Sequence, residues 1–389
     1  MKFAASSITK ILILLICSIQ ISIAQDGQAT AGAFLRMGAG AHAKSMGGAF
    51  TAIANTPAAS YWNPGGLAHI ESISVLASHN EMALDRTYTF ISGVVPSSRN
   101  SSLGISWIGL NVSNIEARTD DTSEPDYYFN SANSAFLLSY AYKFTSWFSV
   151  GLNYKWLQER VYTSSLSGHG FDFGVFSKLT DTFTAGLMLQ DIQSTVKAED
   201  GYKQPFPLIY RLGLAAQISN GFNTAFDISF NENKYSSFAL GIEYKPMAML
   251  PIRAGFNQQG FVFGSGLHMP LQTMNLRLDY SYGQDPLSGS DTHTISVGVG
   301  YKPAALNFSR DRKSSPVKQN RQPLQYVVVQ TKNLNVREGP STKYRVLGAI
   351  HQGQRFRKTG SIGNWCKIKI GKKKYGWVHK KFIKEYIRR

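Results

Sequence analysis

The chain has 389 residues, 41 Lys+Arg against 24 Asp+Glu (net charge +17), 12% aromatic residues, 35 Gly and two Cys. Two cysteines build neither a disulfide framework nor a Cys-rich metal site. No uninterrupted apolar run near 18 residues occurs, so membrane-spanning helices are excluded.

Residues 1–24 read as a signal peptide. Lys2 and Lys10 precede the apolar run Ile11–Ile16, and Ser22 and Ala24 supply small residues at −3 and −1 of a cut after Ala24. Cys17 follows Ile16, a residue too large for a lipobox. Cleavage leaves Cys366 as the sole thiol. An exported, aromatic-rich chain without membrane helices is a membrane β-barrel or a soluble periplasmic β-protein.

Residues 25–70 differ in texture. Small residues dominate Ala31–Asn55, which suits a close-packed, partly helical segment, and Asn63-Pro64-Gly65-Gly66 ends it in a turn. Too short for its own core, the segment is expected to plug the lumen of a barrel built from the residues after it. Gly38-Ala-Gly40-Ala-His-Ala43 follows no strand of a βαβ unit and is not a dinucleotide fingerprint.

From Glu71 to Lys302 apolar and polar residues alternate in segments of about ten, the length of a tilted membrane strand. Leu276, Leu278, Tyr280 and Tyr282 alternate with Arg277, Asp279, Ser281 and Gly283, so one set faces lipid and the other a polar lumen. Fourteen segments predict a fourteen-stranded antiparallel barrel with both ends at one rim. Tight turns at Thr145-Ser146, Thr180-Asp181 and Ser219-Asn220 alternate with longer connections at Asn111–Asn130, Asp191–Gln204 and Gly283–Asp291. Short turns are periplasmic in such barrels. The long loop carrying Asp120, Asp121, Glu124 and Asp126 is a candidate extracellular contact surface. A soluble sandwich or propeller explains the alternation, but not the aromatic outward faces or the loop asymmetry.

Three stretches carry a resemblance. Phe34–Gly40, Ser45-Met-Gly47-Gly48-Ala-Phe-Thr-Ala52 and Trp62-Asn63-Pro64-Gly65-Gly66-Leu67-Ala68 resemble the signature of the PorV/PorQ family of outer-membrane proteins. Leu276–Tyr282, Thr292-His293 and Ser296 resemble that family's C-terminal end. The likeness spans roughly residues 30–302 and departs at Gly65, where the commoner motif has Ala after Asn-Pro. It implies a fourteen-stranded barrel related to FadL fatty-acid transporters, found in Bacteroidetes. It also implies a role in type IX secretion, with the translocon and the C-terminal domains of secreted cargo as partners. Gly47, Gly48, Trp62, Asn63 and Pro64 are the residues of the lumenal motif.

Residues 302–389 hold 23 Lys+Arg and 3 Asp+Glu, a net +20, which leaves −3 for residues 1–301. Residues 303–325 are polar, basic and aperiodic, a linker. Residues 326–389 alternate in shorter runs (326–330, 334–337, 346–350, 365–370 and 376–379), as in a small soluble β-barrel. Leu334-Asn-Val-Arg337-Glu-Gly-Pro-Ser341, Gly353, Asn364-Trp365 and Gly376-Trp377-Val378 resemble the bacterial SH3 (SH3b) domain, whose members bind cell-wall peptides or protein segments. The resemblance makes Arg337, Tyr344, Trp365 and Trp377 candidate groove residues. The charge calls for an acidic partner, such as peptidoglycan carboxylates, lipid A phosphates or an acidic secretion protein, rather than nucleic acid.

No catalytic constellation stands out. Ser265 and His268 lie three apart on a strand and face opposite sides, and no His/Glu metal spacing occurs. No cofactor is expected. Three roles remain: a secretion or binding barrel, a FadL-like transporter of hydrophobic solutes, and a structural tether from outer membrane to wall. The transporter requires an apolar lumenal patch and an opening past Asn63-Pro64.

Overall fold

The computed structural model describes residues 31–219, 221–232, 236–285, 288–302, 325–371 and 374–387. It divides between residues 309 and 310 into two compact units. The expected signal peptide, and all but the last residue of the expected linker, lie outside the described residues.

The first unit is a closed antiparallel barrel. Its strands are β1 (Ile73–Met82), β2 (Arg86–Pro96), β3 (Ser101–Ala117), β4 (Tyr127–Lys143), β5 (Phe148–Val161), β6 (Ser164–Lys178) and β7 (Phe183–Ala198). A short β8 (Lys203–Pro205) pairs only with β7, outside the ring. The ring continues with β9 (Ile209–Ser219), β10 (Phe222–Asn231), β11 (Ser236–Met247), β12 (Leu250–Asn257), β13 (Gly260–Pro270), β14 (Met274–Gln284) and β15 (Asp291–Tyr301). It closes where Ile73 of β1 meets Tyr301 of β15, so fourteen wall strands bring both ends to one rim.

Alternation follows the pleat. Leu276, Leu278 and Tyr280 point away from the lumen, while Asp279 and Ser281 are buried inside. Ile105, Leu138, Leu152, Ile252, Phe263 and Ile295 are large, apolar and exposed around the outer wall. Such a surface is stable only against lipid.

The expected plug is there. Residues 31–72 fill the lumen with two short helices, α1 (Ala41–Ser45) and α2 (Ala59–Trp62), and with 3-10 turns at Ala33–Arg36 and Pro64–His69. Residues 41–68 are almost wholly buried.

Two expected loops are largely strand. β3 and β4 continue into 111–130 and leave only 118–126 as the tip, because Ile115, Phe129 and their neighbours keep pairing beyond a bulge after Val112. Likewise β7 runs through 191–198, and β8 returns beside it. β3 to β7 hold 14 to 17 residues each, while β9 to β15 hold 8 to 12. One half of the wall therefore extends further than the other.

The second unit is a seven-stranded antiparallel sheet of β16 (Gln325–Val329), β17 (Asn333–Arg337), β18 (Val346–His351), β19 (Arg355–Ile362), β20 (Trp365–Lys369), β21 (Tyr375–His379) and β22 (Ile383–Ile387). Val327, Val329, Leu334, Val336, Ile350, Cys366, Ile368 and Val378 form its core. β19 and β22 are absent from the sequence expectation. Arg355, Arg357 and Lys358 make β19 read as polar, although Phe356 packs on the core.

Candidate functional site

Wall side chains hold the backbone of the plug. Asp227 Oδ2 on β10 accepts hydrogen bonds from the Phe50 and Thr51 amides (3.1 and 2.9 Å). The Asn153 amide on β5 donates to Ser60 O (2.7 Å), Asn257 on β12 to Gly47 O (3.0 Å), and Thr184 on β7 to Ala52 O (2.7 Å). Ser296 Oγ on β15 accepts from the Ala41 amide (2.8 Å). Five strands around the ring thus satisfy plug groups that burial would otherwise leave costly.

The five motif residues lie on this contact. Gly47 (φ 71°) presses on the wall, where a Cβ would stand 2.8 Å from Leu240 O and 2.9 Å from Phe256 N. Gly48 (φ 89°) faces the Trp62 ring. Trp62 Nε1 donates to Ala39 O (2.8 Å), and the Arg211 guanidinium lies over its ring at 5.0 Å. Asn63 Nδ2 donates to Thr51 O and to Val175 O of β6 (2.8 and 2.9 Å), while its Oδ1 accepts from the Gly65 amide (3.0 Å). Pro64 begins a turn that abuts Gly151 of β5. Asn63 and Pro64 are buried.

A set of wall glycines is missing from the sequence expectation. Gly151, Gly174, Gly186, Gly213, Gly241 and Gly255 all face the plug, where a side chain would collide with its backbone or with Asn63. They include directly paired partners: Gly151 with Gly174, Gly186 with Gly213, and Gly241 with Gly255. A signal was present, since each sits between two apolar residues in its strand, as in Val150-Gly151-Leu152 and Leu240-Gly241-Ile242.

Buried charge completes the seam. Arg253 joins Glu243 and Asp279 (2.8 Å each), and His42 of α1 meets Glu243 at 3.3 Å. His268 bonds Asp279 (2.9 Å), while Ser265 faces outward. Burial, then the nearby Arg253 charge, lowers His42 to about 4. Lys155 pairs with Asp172 (2.7 Å) and Asp191. Among the described residues no group of three or more His, Cys, Asp or Glu is arranged to hold a metal.

Two cavities of about 450 Å³ each open near the rim that holds the barrel's ends. One lies between the plug and β1, β13, β14 and β15, with Ile70, Leu76, His268, Arg277 and Ser296 among its walls. The other gathers His69, Arg99, Lys143 and Lys178 beneath the plug.

At the opposite rim, the candidate acidic residues crown the β3–β4 hairpin. Asp126 accepts from the amide and hydroxyl of Thr119 (2.7 and 2.8 Å), and Asp120, Asp121 and Glu124 are exposed beside it. Just below, Tyr127 stacks on Tyr162 at 5.3 Å, and Phe129 lies 5.7 Å from Tyr162. The expected loop 191–204 instead folds as a hairpin. Val196 and the following Phe206 are buried in an apolar lumenal cluster with Phe34, Leu35, Tyr88, Phe90 and Leu157.

In the second unit Trp365, Lys367, Trp377 and His379 share one face of the β20–β21 pair, opposite Cys366, Ile368 and Val378. Lys367 lies over the rings of Tyr375 (5.4 Å) and Trp377 (5.7 Å), a cation–aromatic arrangement not singled out from sequence. Trp365 meets His379 edge-on at 5.2 Å. Arg337 bridges to Trp377 through the backbone. Its guanidinium donates to Thr342 O and Tyr344 O (2.8 Å each), so Arg337 positions the Tyr344 loop. Burial pushes the Cys366 thiol up to about 11.

Residues 89–302 match the family described as outer membrane protein beta-barrel domain, and residues 332–384 match the bacterial SH3 domain. Among solved structures, the chain is similar to the Pseudomonas putida toluene transporter TodX (15% identity, TM-score 0.51, 68% of this chain and 98% of that one). It is also similar to the Ralstonia pickettii toluene transporter TbuX (13%, 0.47, 68% and 97%) and a Pseudomonas aeruginosa FadL homologue (13%, 0.48, 67% and 98%). At these identities the likeness is one of fold. No curated protein matches.

Proposed function

The chain belongs to the outer membrane protein β-barrel family, and from that premise we propose that it works as a plugged docking barrel. In this reading it is a non-enzymatic outer-membrane component akin to the type IX secretion barrels it resembles. The carrying observation is the plug's attachment: five strands bond its backbone and wall glycines abut it, which favours a role on the outer surfaces over passage through the lumen. Binding then falls to the outer surfaces. The acidic and aromatic β3–β4 hairpin is the candidate extracellular grip for secreted cargo or translocon.

An even strand number with short turns at the end-bearing rim makes that rim periplasmic. The SH3-like unit would lie there too, with its net positive charge and its Lys367–Trp377 face turned to peptidoglycan or an acidic secretion protein. Affinity purification of the tagged chain from cells is the test. Co-purified translocon or cargo supports docking; wall-linked proteins alone would leave only the tether.

A second reading, transport of a hydrophobic solute, is favoured by one observation. The apolar lumenal cluster lies under the 191–206 hairpin, as the transporter reading requires, although Asn63 and Pro64 are buried. Solute uptake into liposomes containing the barrel, absent from empty liposomes, would favour it over docking.

A further inference from the structure

We propose that the pocket beneath the plug, formed by His69, Lys143 and Lys178 with Arg99 on its edge, binds the phosphate of a lipid headgroup. Four separate elements supply it: the plug's last turn gives His69, the β2–β3 turn Arg99, the end of β4 Lys143 and the end of β6 Lys178. Glu71, the one carboxylate among its described lining residues, is already held by Lys302 at 2.9 Å. His69 is fixed by Ser149 Oγ (3.1 Å), which in turn donates to Gly65 O (2.8 Å), so the pocket floor exists only with the plug seated. Lys143 and Lys178 line the same pocket as His69; burial first, and then their charges, lower His69 to about 4. The site is cationic around a neutral imidazole, a fit for a phosphodiester.

The neighbouring surface selects a lipid over a free anion. Phe144 lines the pocket and is 59% exposed, with its ring 4.9 Å from Tyr142 and 6.0 Å from Phe148. Trp147 and Leu179 are exposed beside it. Aromatic girdles of this kind mark the headgroup level of a barrel wall. Strand alternation puts Tyr142 and Phe148 on the lipid face and Lys143 and Ser149 on the lumenal face, so a lipid would reach the pocket over the rim, with its acyl chains against the outer rings. Assigning it to the periplasmic leaflet rests on the orientation proposed above; binding itself does not.

Native mass spectrometry of the full chain in detergent tests this, with palmitoyl-oleoyl phosphatidylglycerol, dioleoylglycerol and inorganic phosphate as separate probes. The expected result is one retained phosphatidylglycerol, weakened at least tenfold in Lys143→Gln/Lys178→Gln and restored in Lys143→Arg/Lys178→Arg. The loop-rim pair Lys197→Gln/Lys203→Gln should bind as wild type. The heat-dependent gel shift of the barrel checks that each variant is folded. Equal binding of dioleoylglycerol, or unchanged binding by the Gln pair, would overturn the proposal. Phosphate alone binding as tightly as the lipid would overturn the headgroup assignment. Partner co-purification with the same Gln pair reads the docking function separately, so either idea can fail alone.

Discussion

At the scale of single residues, the contact between plug and wall tolerates almost nothing larger than hydrogen. A side chain at Gly255 meets the Met46 and Gly47 backbone, whereas one at Gly93 finds its nearest atom at 3.9 Å. Gly255→Leu is therefore expected to weaken plug seating by about 1–3 kcal/mol or more through overpacking. Limited trypsin digestion should then cut at Arg36 and Lys44 in the folded barrel. Gly93→Ala should leave the plug protected.

His42 adds a pH dependence. Its ordinary value near 6.5 falls to about 4 when buried, so between those values the released plug binds a proton that the seated plug lacks. Seating is fully favoured above about 6.5 and weakens as pH falls toward 4, by on the order of 3 kcal/mol. Amide hydrogen exchange of the plug, corrected for its intrinsic pH dependence and compared at pH 7.5 and 4.5, should show the loss, and His42→Gln should flatten it. Cys366, buried with its thiol held protonated, should react with a maleimide only after denaturation.

At the scale of elements, the β6–β7 seam is the least regular part of the wall. Its register shifts twice, and Asp191 (φ 66°) and Gln193 (φ 51°) adopt left-handed backbone. Lys155 holds Asp172 and Asp191 together at this place, out of water. Removing one partner of a buried ion pair typically costs about 3–5 kcal/mol. Lys155→Met is thus expected to loosen the 191–206 hairpin, which faster cleavage at Lys197 and Lys203 would report. The β3–β4 tip is a different case, since 118–126 carries polar contacts of its own rather than core. Replacing it with a short Gly-Ser turn should keep the barrel's gel shift and abolish co-purification of the partner. Retained partner would remove this hairpin from the docking surface.

At the scale of the whole molecule, charge is divided by unit: net −3 through residue 301 and +20 beyond it. The two units have separate hydrophobic cores. Stopping the chain after Lys302 should therefore leave a folded barrel with an intact plug. Binding of the full chain to purified peptidoglycan should fall with that truncation. It should fall also as salt rises past ~0.15 M, where the screening length is roughly 8 Å.

The sequence alone determined the barrel, its strand number, the plug and the small C-terminal β-unit. Alternation of period two is a local property, and Leu278 or Asp279 needs no distant partner to choose its face. Local pattern also misled, because β3 and β7 run on where Ser113-Asn114 and Asp191–Ser194 look like loop; only pairing across the wall keeps those residues extended. The candidate site was partly legible. Trp62, Asn63 and Pro64 stand out as a motif, yet nothing in the chain says that Asn63 binds Val175, 112 residues away. The wall glycines, the Arg253–Glu243–Asp279–His42 cluster and the pocket around His69 were decided by tertiary structure. Each joins residues far apart in sequence, and such contacts exist only once the ring has closed around the plug.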